Sequence, residues 1–315
     1  GLGDVYKRQQ HNRYELSTIT AGRDFKFTTP RNRLGNLINS SGEVALSGPG
    51  DLVISAGRNI DLGASIGVFS TGKTVNSALP AGDGNITVLA GMGPKGPQYD
   101  AFAAKYDPLS STYADLLTAF MAKVTGNASI DKAAAATQYQ ALSQGERDLF
   151  LFDILFNELR QSATNAAKSG KSADYAQGYT AIDTMFPGAG TEQSSYAGDL
   201  SLFFSKISTV SGGDVNLLAP GGSINAGLAS AFTGAKQSSD LGVVVQGSGS
   251  INSLVNNNFM VNQSRVFALG GGDITIWSSN GNIDAGRGAK AALTIPPPQV
   301  TFDASGNLKI VYPPA

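Results

Sequence analysis

One pattern recurs along this 315-residue chain and limits what it can fold into. Three segments share an order of residue types: GDLVISAGRNIDLG from Gly50, GDVNLLAPGGSINAG from Gly213 and GDITIWSSNGNIDAG from Gly272. Each opens Gly-Asp, alternates apolar residues, passes through a Gly-containing turn, and closes on Ile-Asp or Ile-Asn before another Gly. Shorter copies are GNITVLAG from Gly84, GSGSINS from Gly247 and SGNLKIVY from Ser305. Alternation such as Ile274 and Ile276 against Thr275 and Trp277 is the period of a strand with one inward face. No copy is long enough to bury that face alone, whereas stacked copies bury a continuous core. Gly at the corners admits tight bends, and Asp or Asn beside it bonds turn amides or stacks as a ladder along the axis.

The expected fold is therefore mainly β: a right-handed parallel β-helix, or solenoid, with an inserted α-helical subdomain. At about twenty residues per coil, the roughly 190 β-type residues predict about nine or ten coils and a rod on the order of 45 Å. Right-handedness is expected from the general rule for parallel crossovers. An antiparallel sandwich or barrel is the alternative, since it also has short strands and Gly-rich turns. Against it, the turns are not the two-residue Asn-Gly type of hairpins, apart from Asn280-Gly281.

Residues 97–208 differ in kind. Gly becomes sparse, Ala rises, and apolar residues take helical spacing. Leu116, Leu117, Phe120, Met121 and Val124 share one helix face. Ser143 to Glu146 has the form of a capping box, opening a helix rich in Leu, Ile and Phe from Leu149 to Leu159, expected to be buried on two sides. A third helix is expected from Ala173 to Met185, stopped by Pro187-Gly188. The β pattern resumes at Leu200–Ile207. The chain thus divides into a poorly defined N-terminal segment (1–39), first coils (40–96), the helical insertion (97–208), second coils (209–295), and a Pro-rich linker with one terminal strand (296–315). The opening GLGDVYKRQ matches nothing that follows and is set aside as a non-native leader. With no initiator Met and no signal peptide, the sequence reads as an internal or C-terminal fragment.

Composition removes several function classes. Lys and Arg number 23 against 24 Asp and Glu, with charged residues only 15%, which gives no electrostatic footprint for nucleic acid or a polybasic membrane site. Zero Cys excludes disulfides, redox CxxC chemistry and thiolate metal sites. A single His, His11 in a polar stretch, leaves no Ser-His-Asp triad and no multi-His zinc site. No apolar run is long enough to span a bilayer as a helix.

The string GGDITIWSSNGNIDAGRGAKAA, with GGDVNLLAPGGSINAGLA upstream, resembles the C-terminal part of filamentous haemagglutinin-family exoproteins. The stretch ending YAQGYTAIDTMFPG is similar to the uncharacterised helical domain that accompanies that β-helix in some members. The resemblance covers about Ser40 to Pro297. It implies two-partner secretion through an outer-membrane β-barrel transporter to the Gram-negative cell surface. It also implies a role in adhesion, biofilm formation or contact-dependent competition, with a host-cell or bacterial glycan or protein receptor as partner.

Candidate sites are weighed in that light. Gly270 to Asp273 superficially matches a calcium-binding nonapeptide, but the spacing fails, so no metal site and no cofactor is expected. Asp51, Asp214 and Asp273 hold equivalent repeat positions, which points to a turn role. Parallel β-helices also host polysaccharide lyases and hydrolases, and Asp61, Asp284 and Arg287 are the residues such an enzyme would use here. A corner ladder is the favoured reading of them, since fold alone carries no function, and the expectation is a protein that is not an enzyme. Asn256 to Asn258 form either an Asn ladder or a loop. Trp277 is out of phase with Ile274 and Ile276; with Tyr175, Tyr179 and Phe186 it forms the candidate recognition surface, or else the packing beneath the insertion. A non-binding stem of a contact-dependent inhibition protein is the third reading.

Overall fold

The computed structural model describes residues 5–27, 33–34, 42–82, 84–227, 240–286, 299–302 and 308–311. The strands follow one another in sets of three. The first coil holds β1 (Val5–Gln9), β2 (Leu16–Ala21) and β3 (Phe25–Lys26), and the second β4 (Glu43–Ser47), β5 (Asp51–Ala56) and β6 (Ile60–Asp61). The third holds β7 (Gly67–Ser70), β8 (Ile86–Leu89) and, after the helices, β9 (Leu200–Ser201). β10 (Lys206–Thr209), β11 (Val215–Ala219) and β12 (Ile224–Asn225) form the fourth, and β13 (Gly242–Val245), β14 (Ile251–Val255) and β15 (Phe259–Met260) the fifth. β16 (Arg265–Ala268), β17 (Ile274–Ser278) and β18 (Ile283–Asp284) complete the sixth. Every third strand pairs in parallel, giving three six-stranded sheets. This is a parallel β-solenoid of six described coils, fewer than the nine or ten expected. The coils use more chain than the estimate allowed: strands of the first sheet begin at Val5, Glu43 and Gly67, and again at Lys206, Gly242 and Arg265.

Register explains the alternation. In the second sheet Leu52, Ile86, Val215 and Ile251 align, as do Ile54, Val88 and Leu217. All are buried in one core with Val44, Val68 and Ile207 of the first sheet and Ile60 and Ile224 of the third. The opposite face carries Val53, Thr87, Asn216 and Asn252 in one column and Leu89, Leu218, Leu254 and Trp277 in the next. A one-residue slip would exchange these faces, so burial of the inner one fixes the register.

The Gly-Asp signature has a physical cause. Gly50, Gly84, Gly213, Gly249 and Gly272 stack at one corner, where a side chain would meet a backbone carbonyl of the preceding coil. The next residue in each coil bonds the coil beyond it. Asp51 accepts from the backbone and side-chain amides of Asn85, Asn85 from the N–H of Asp214, Asp214 from that of Ser250, and Ser250 from that of Asp273. A second axial ladder runs through Asp24, Asn59, Asp199, Ser223, Asn258 and Asn282, each side chain accepting the next backbone N–H. Extended corner residues would otherwise leave these donors without partners.

Between β8 and β9 lie five helices: α1 (Tyr99–Lys105), α2 (Ala114–Thr125), α3 (Lys132–Gln140), α4 (Gln144–Ser169) and α5 (Ala176–Met185). The insertion explains why the repeat at Gly84 stops short: its third strand resumes only at Leu200. α4 is 26 residues long, about 39 Å of helix. It lies along the solenoid axis across the second sheet. Gly145 sits against Leu16 of the first coil, Arg160 donates to Asn252 of the fifth, and Leu159 and Trp277 of the sixth meet around Gly178. The rise along α4 from Gly145 to Leu159, about 21 Å, matches the roughly 24 Å spanned by five coil spacings. A single apolar cluster joins Phe150, Ile154, Leu155 and Leu159 to Leu89, Leu218, Leu254 and Trp277, so α4 is buried between the sheet and the other helices.

Several boundaries differ from expectation. β1, β2 and β3 fall within the N-terminal segment read as poorly defined, and Val5–Gln9 pairs in register with Glu43–Ser47. That coil carries polar groups inside: buried Gln10 donates from Nε2 to Glu15 O, Ser17 Oγ and Asp51 O, which masks the apolar alternation. β9 and β10 lie inside or across the end of the range given to the insertion. Five helices replace three, because α1 is short and α3 has few apolar residues to mark it. The tail holds two strands, β19 (Gln299–Phe302) and β20 (Leu308–Val311), paired antiparallel with each other, so the described part of SGNLKIVY, Leu308–Val311, does not add a parallel strand to the coils. Pro296 to Pro298 and Arg287 lie outside the described residues.

Candidate functional site

Two places concentrate chemistry, both where the insert meets the second sheet. The first is aromatic. Trp277, the last member of the outward column Leu89, Leu218 and Leu254, is 8% exposed and receives Tyr175 and Tyr179 edge-on at 5.7 and 5.5 Å. Its Nε1 donates to Ser279 Oγ at 3.2 Å, and Tyr179 donates to Ser279 O at 2.9 Å. Tyr175 and Tyr179, one helical turn apart, remain 37% and 45% exposed. Phe186 is not part of this group: it is fully buried and packs edge-on against Tyr196. The structure thus brings together three of the four aromatic candidates, with Trp277 as the covered floor and the two tyrosines as the accessible rim.

The second place is polar. A cavity of about 140 Å³ opens between the Gly-Asp corner of the solenoid and α2 and α4, lined by Asp51, Asn85, Asp214 and Asn216 below and by Lys123 and Asp153 above. Lys123 Nζ reaches Asp214 Oδ2 at 2.7 Å. Burial pushes the Asp51 carboxyl up to about 7, against the lowering effect of its Asn85 hydrogen bonds, with Glu146 and Asp214 adding to the rise. Burial also raises Asp153 to about 7, and Asp214 contributes next. Repeat position identified Asp51 and Asp214 as corner residues; nothing in the linear sequence places Asp153 beside them.

Asp61 and Asp284 share a column of the third sheet, but Ser201, Asn225 and Met260 stand between them. At four strand spacings, about 19 Å, they are too far apart to act as a carboxylate pair. Each instead accepts the N–H two residues on, from Gly63 and Gly286, and Asp61 also meets Lys26 at 3.5 Å. Asn256 and Asn258 belong to ladders, the first receiving Asn280 Nδ2 and the second the N–H of Asn282. Among the described residues, no three His, Asp or Glu side chains are arranged to hold a metal ion, and no helix is long and apolar enough to cross a membrane.

Fold and surface together define a parallel β-solenoid with a helical splint on one flank. A family model described as "Filamentous haemagglutinin family outer membrane protein" matches residues 271–315, from the turn before β17 onward. That match agrees with the filamentous haemagglutinin-family resemblance read from the sequence, over this part of the chain. No curated protein and no solved structure matches the chain.

Proposed function

We propose that the chain is a structural and adhesive segment of a large secreted bacterial surface exoprotein, with no catalytic role of its own. In this reading the right-handed solenoid supplies reach, and the insert and its aromatic rim supply contact with a glycan or protein receptor on host cells, surfaces or other bacteria. Export through an outer-membrane β-barrel transporter belongs to the same reading. The observation that carries it is the axial continuity of the rod: two side-chain ladders and α4 all run along the direction in which coils stack. Such a body resists bending and presents its flank at a fixed distance.

Binding of the purified chain to a glycan array and to epithelial cells tests this. Simple removal of the insert is a poor control, because it bares Leu89, Leu218, Leu254 and Trp277. The matched variant is therefore Tyr175→Ser with Tyr179→Ser, which leaves Trp277 in place. Binding lost in the variant supports the rim as the contact. No binding by either folded protein reduces the segment to a stalk. Turnover of a polysaccharide, abolished by Asp61→Asn or Asp284→Asn, would overturn the non-enzymatic reading.

A further inference from the structure

The seam between insert and solenoid closes on more carboxylate than cation. Asp51 and Asp214 face it from the solenoid, and Glu146 and Asp153 from α4. The cations beside it are Lys123 of α2, Arg160 of α4, and Arg13 from the turn after β1. Lys123 is engaged by Asp214 at 2.7 Å. Arg160 donates to the neutral amide oxygen of Asn252 at 3.4 Å, and Arg13 to the carbonyls of Lys123 and Ala81 at 3.1 and 2.7 Å. Glu146 is itself buried, with Oε2 bonded to the N–H of Ser143 in the capping box.

We propose that the helical insert is an acid-tightened clamp, gripping the second sheet more firmly as the medium passes from neutral to mildly acidic. Two carboxyls from opposite sides of one small cavity, Asp51 below and Asp153 above, must share it with Asp214, whose charge Lys123 already engages. Protonation relieves their desolvation and their mutual repulsion at once. The direction follows from both groups being raised to about 7 in the docked state. A raised acid holds its proton more tightly when docked than when freed, so docking is strongest below the ordinary carboxylate range. It weakens as pH rises and is weakest above about 7. For one such group, docking strengthens about tenfold or more between pH 7.5 and 5.5.

Amide hydrogen exchange on the whole chain reads this directly, with rates normalised for the intrinsic pH dependence of exchange. The expected result is protection of α2 and α4 that rises about tenfold or more from pH 7.5 to 5.5. Asp153→Asn, which removes one of the two charges without touching the ladder, is expected to raise protection at pH 7.5 and to shrink the pH response, leaving the part that Asp51 carries. Asp51→Asn keeps an acceptor for Asn85 and is expected to act in the same direction. Protection of α2 and α4 that ignores pH, or a pH response that survives unchanged in both variants, overturns the proposal.

Discussion

Asp214 and Lys123 tie the solenoid to its insert through one carboxylate: Oδ2 takes the Lys123 ammonium and Oδ1 the backbone N–H of Ser250, each at 2.7 Å. The two bonds are unequal in worth. Lys123 is 63% exposed at its side chain and Asp214 17%. Lys123→Met is therefore expected to cost no more than about 1 kcal/mol, as for an exposed pair. Asp214→Ala also leaves the Ser250 N–H without its partner and is expected to cost about 1–3 kcal/mol. Urea unfolding of both single variants and the double separates the terms; equal costs would contradict the assignment.

The Gly column makes a sharper prediction. Gly213 has φ of +90°, and a side chain there would collide with the carbonyl oxygen of Gly84. Gly213→Ala is expected to destabilise by about 2 kcal/mol or more. Gly22 is the internal comparison: nothing lies within 4 Å of the place its Cβ would take, and its φ is not positive. Gly22→Ala is expected to be neutral or to stabilise by up to about 1 kcal/mol. Thermal melts of the two variants decide whether the repeat Gly is there for the close approach.

These features divide by how far they depend on the third dimension. The pairs β5–β6, β11–β12 and β17–β18 were legible because each repeat contains the Gly, the ladder residue and the alternating inner positions together. Ladder membership was only half legible. Ser223 and Ser250 do the same work as Asp199 and Asp214, since any short acceptor at that position reaches the next coil's N–H. The first coil is less legible because Ser17 stands where the next coils have Leu52 and Ile86, and buried Gln10 bonds beneath it. The capping box named the start of α4, but not that α4 runs the length of the rod, which depends on the match between helix rise and strand spacing. Alternation puts Trp277 out of phase with the inner residues, yet only the packing shows it covered by Tyr175 and Tyr179. The Asp51–Asp153 cavity had no sequence signal, since its two acids are brought together by docking alone.

The capping box gives α4 a measurable start. Ser143 Oγ accepts the N–H of Glu146 at 3.4 Å, and Glu146 Oε2 accepts that of Ser143 at 3.0 Å. Ser143→Ala is expected to cost about 1 kcal/mol, with the loss confined to the first turns of α4 in hydrogen exchange. Even loss along the whole helix would show that α4 docks as one unit whose start is not independently held.

Equilibrium stability is expected to carry the imprint of the two raised carboxyls. Asp51 and Asp153, raised to about 7 from an ordinary value near 3.8, favour the folded state while protonated. Their contribution is complete below about pH 4 and declines as pH climbs to about 7. Asp153→Asn is thus expected to flatten the fall in unfolding free energy between pH 5 and 7.5. Denaturant midpoints measured across that range check it, and a variant curve parallel to the parent's would remove Asp153 as a contributor.

Trp277 is the only tryptophan of the chain, and it sits under the insert, so its fluorescence reports on that end of the seam. The indole closes the row of Leu89, Leu218 and Leu254 and holds two tyrosine edges. Trp277→Ala is expected to cost about 3–5 kcal/mol, the range for truncating a buried aromatic. Trp277→Phe keeps most of the apolar contact and is expected to cost much less. Tyr179→Phe removes only the bond to Ser279 O, about 0.5–1.5 kcal/mol, and should leave the emission maximum in place. In the parent protein the emission is expected to be blue-shifted and poorly quenched by acrylamide. A red, freely quenched emission in the folded chain would mean that the insert does not cover Trp277, and the splint arrangement of α4 would fall with it.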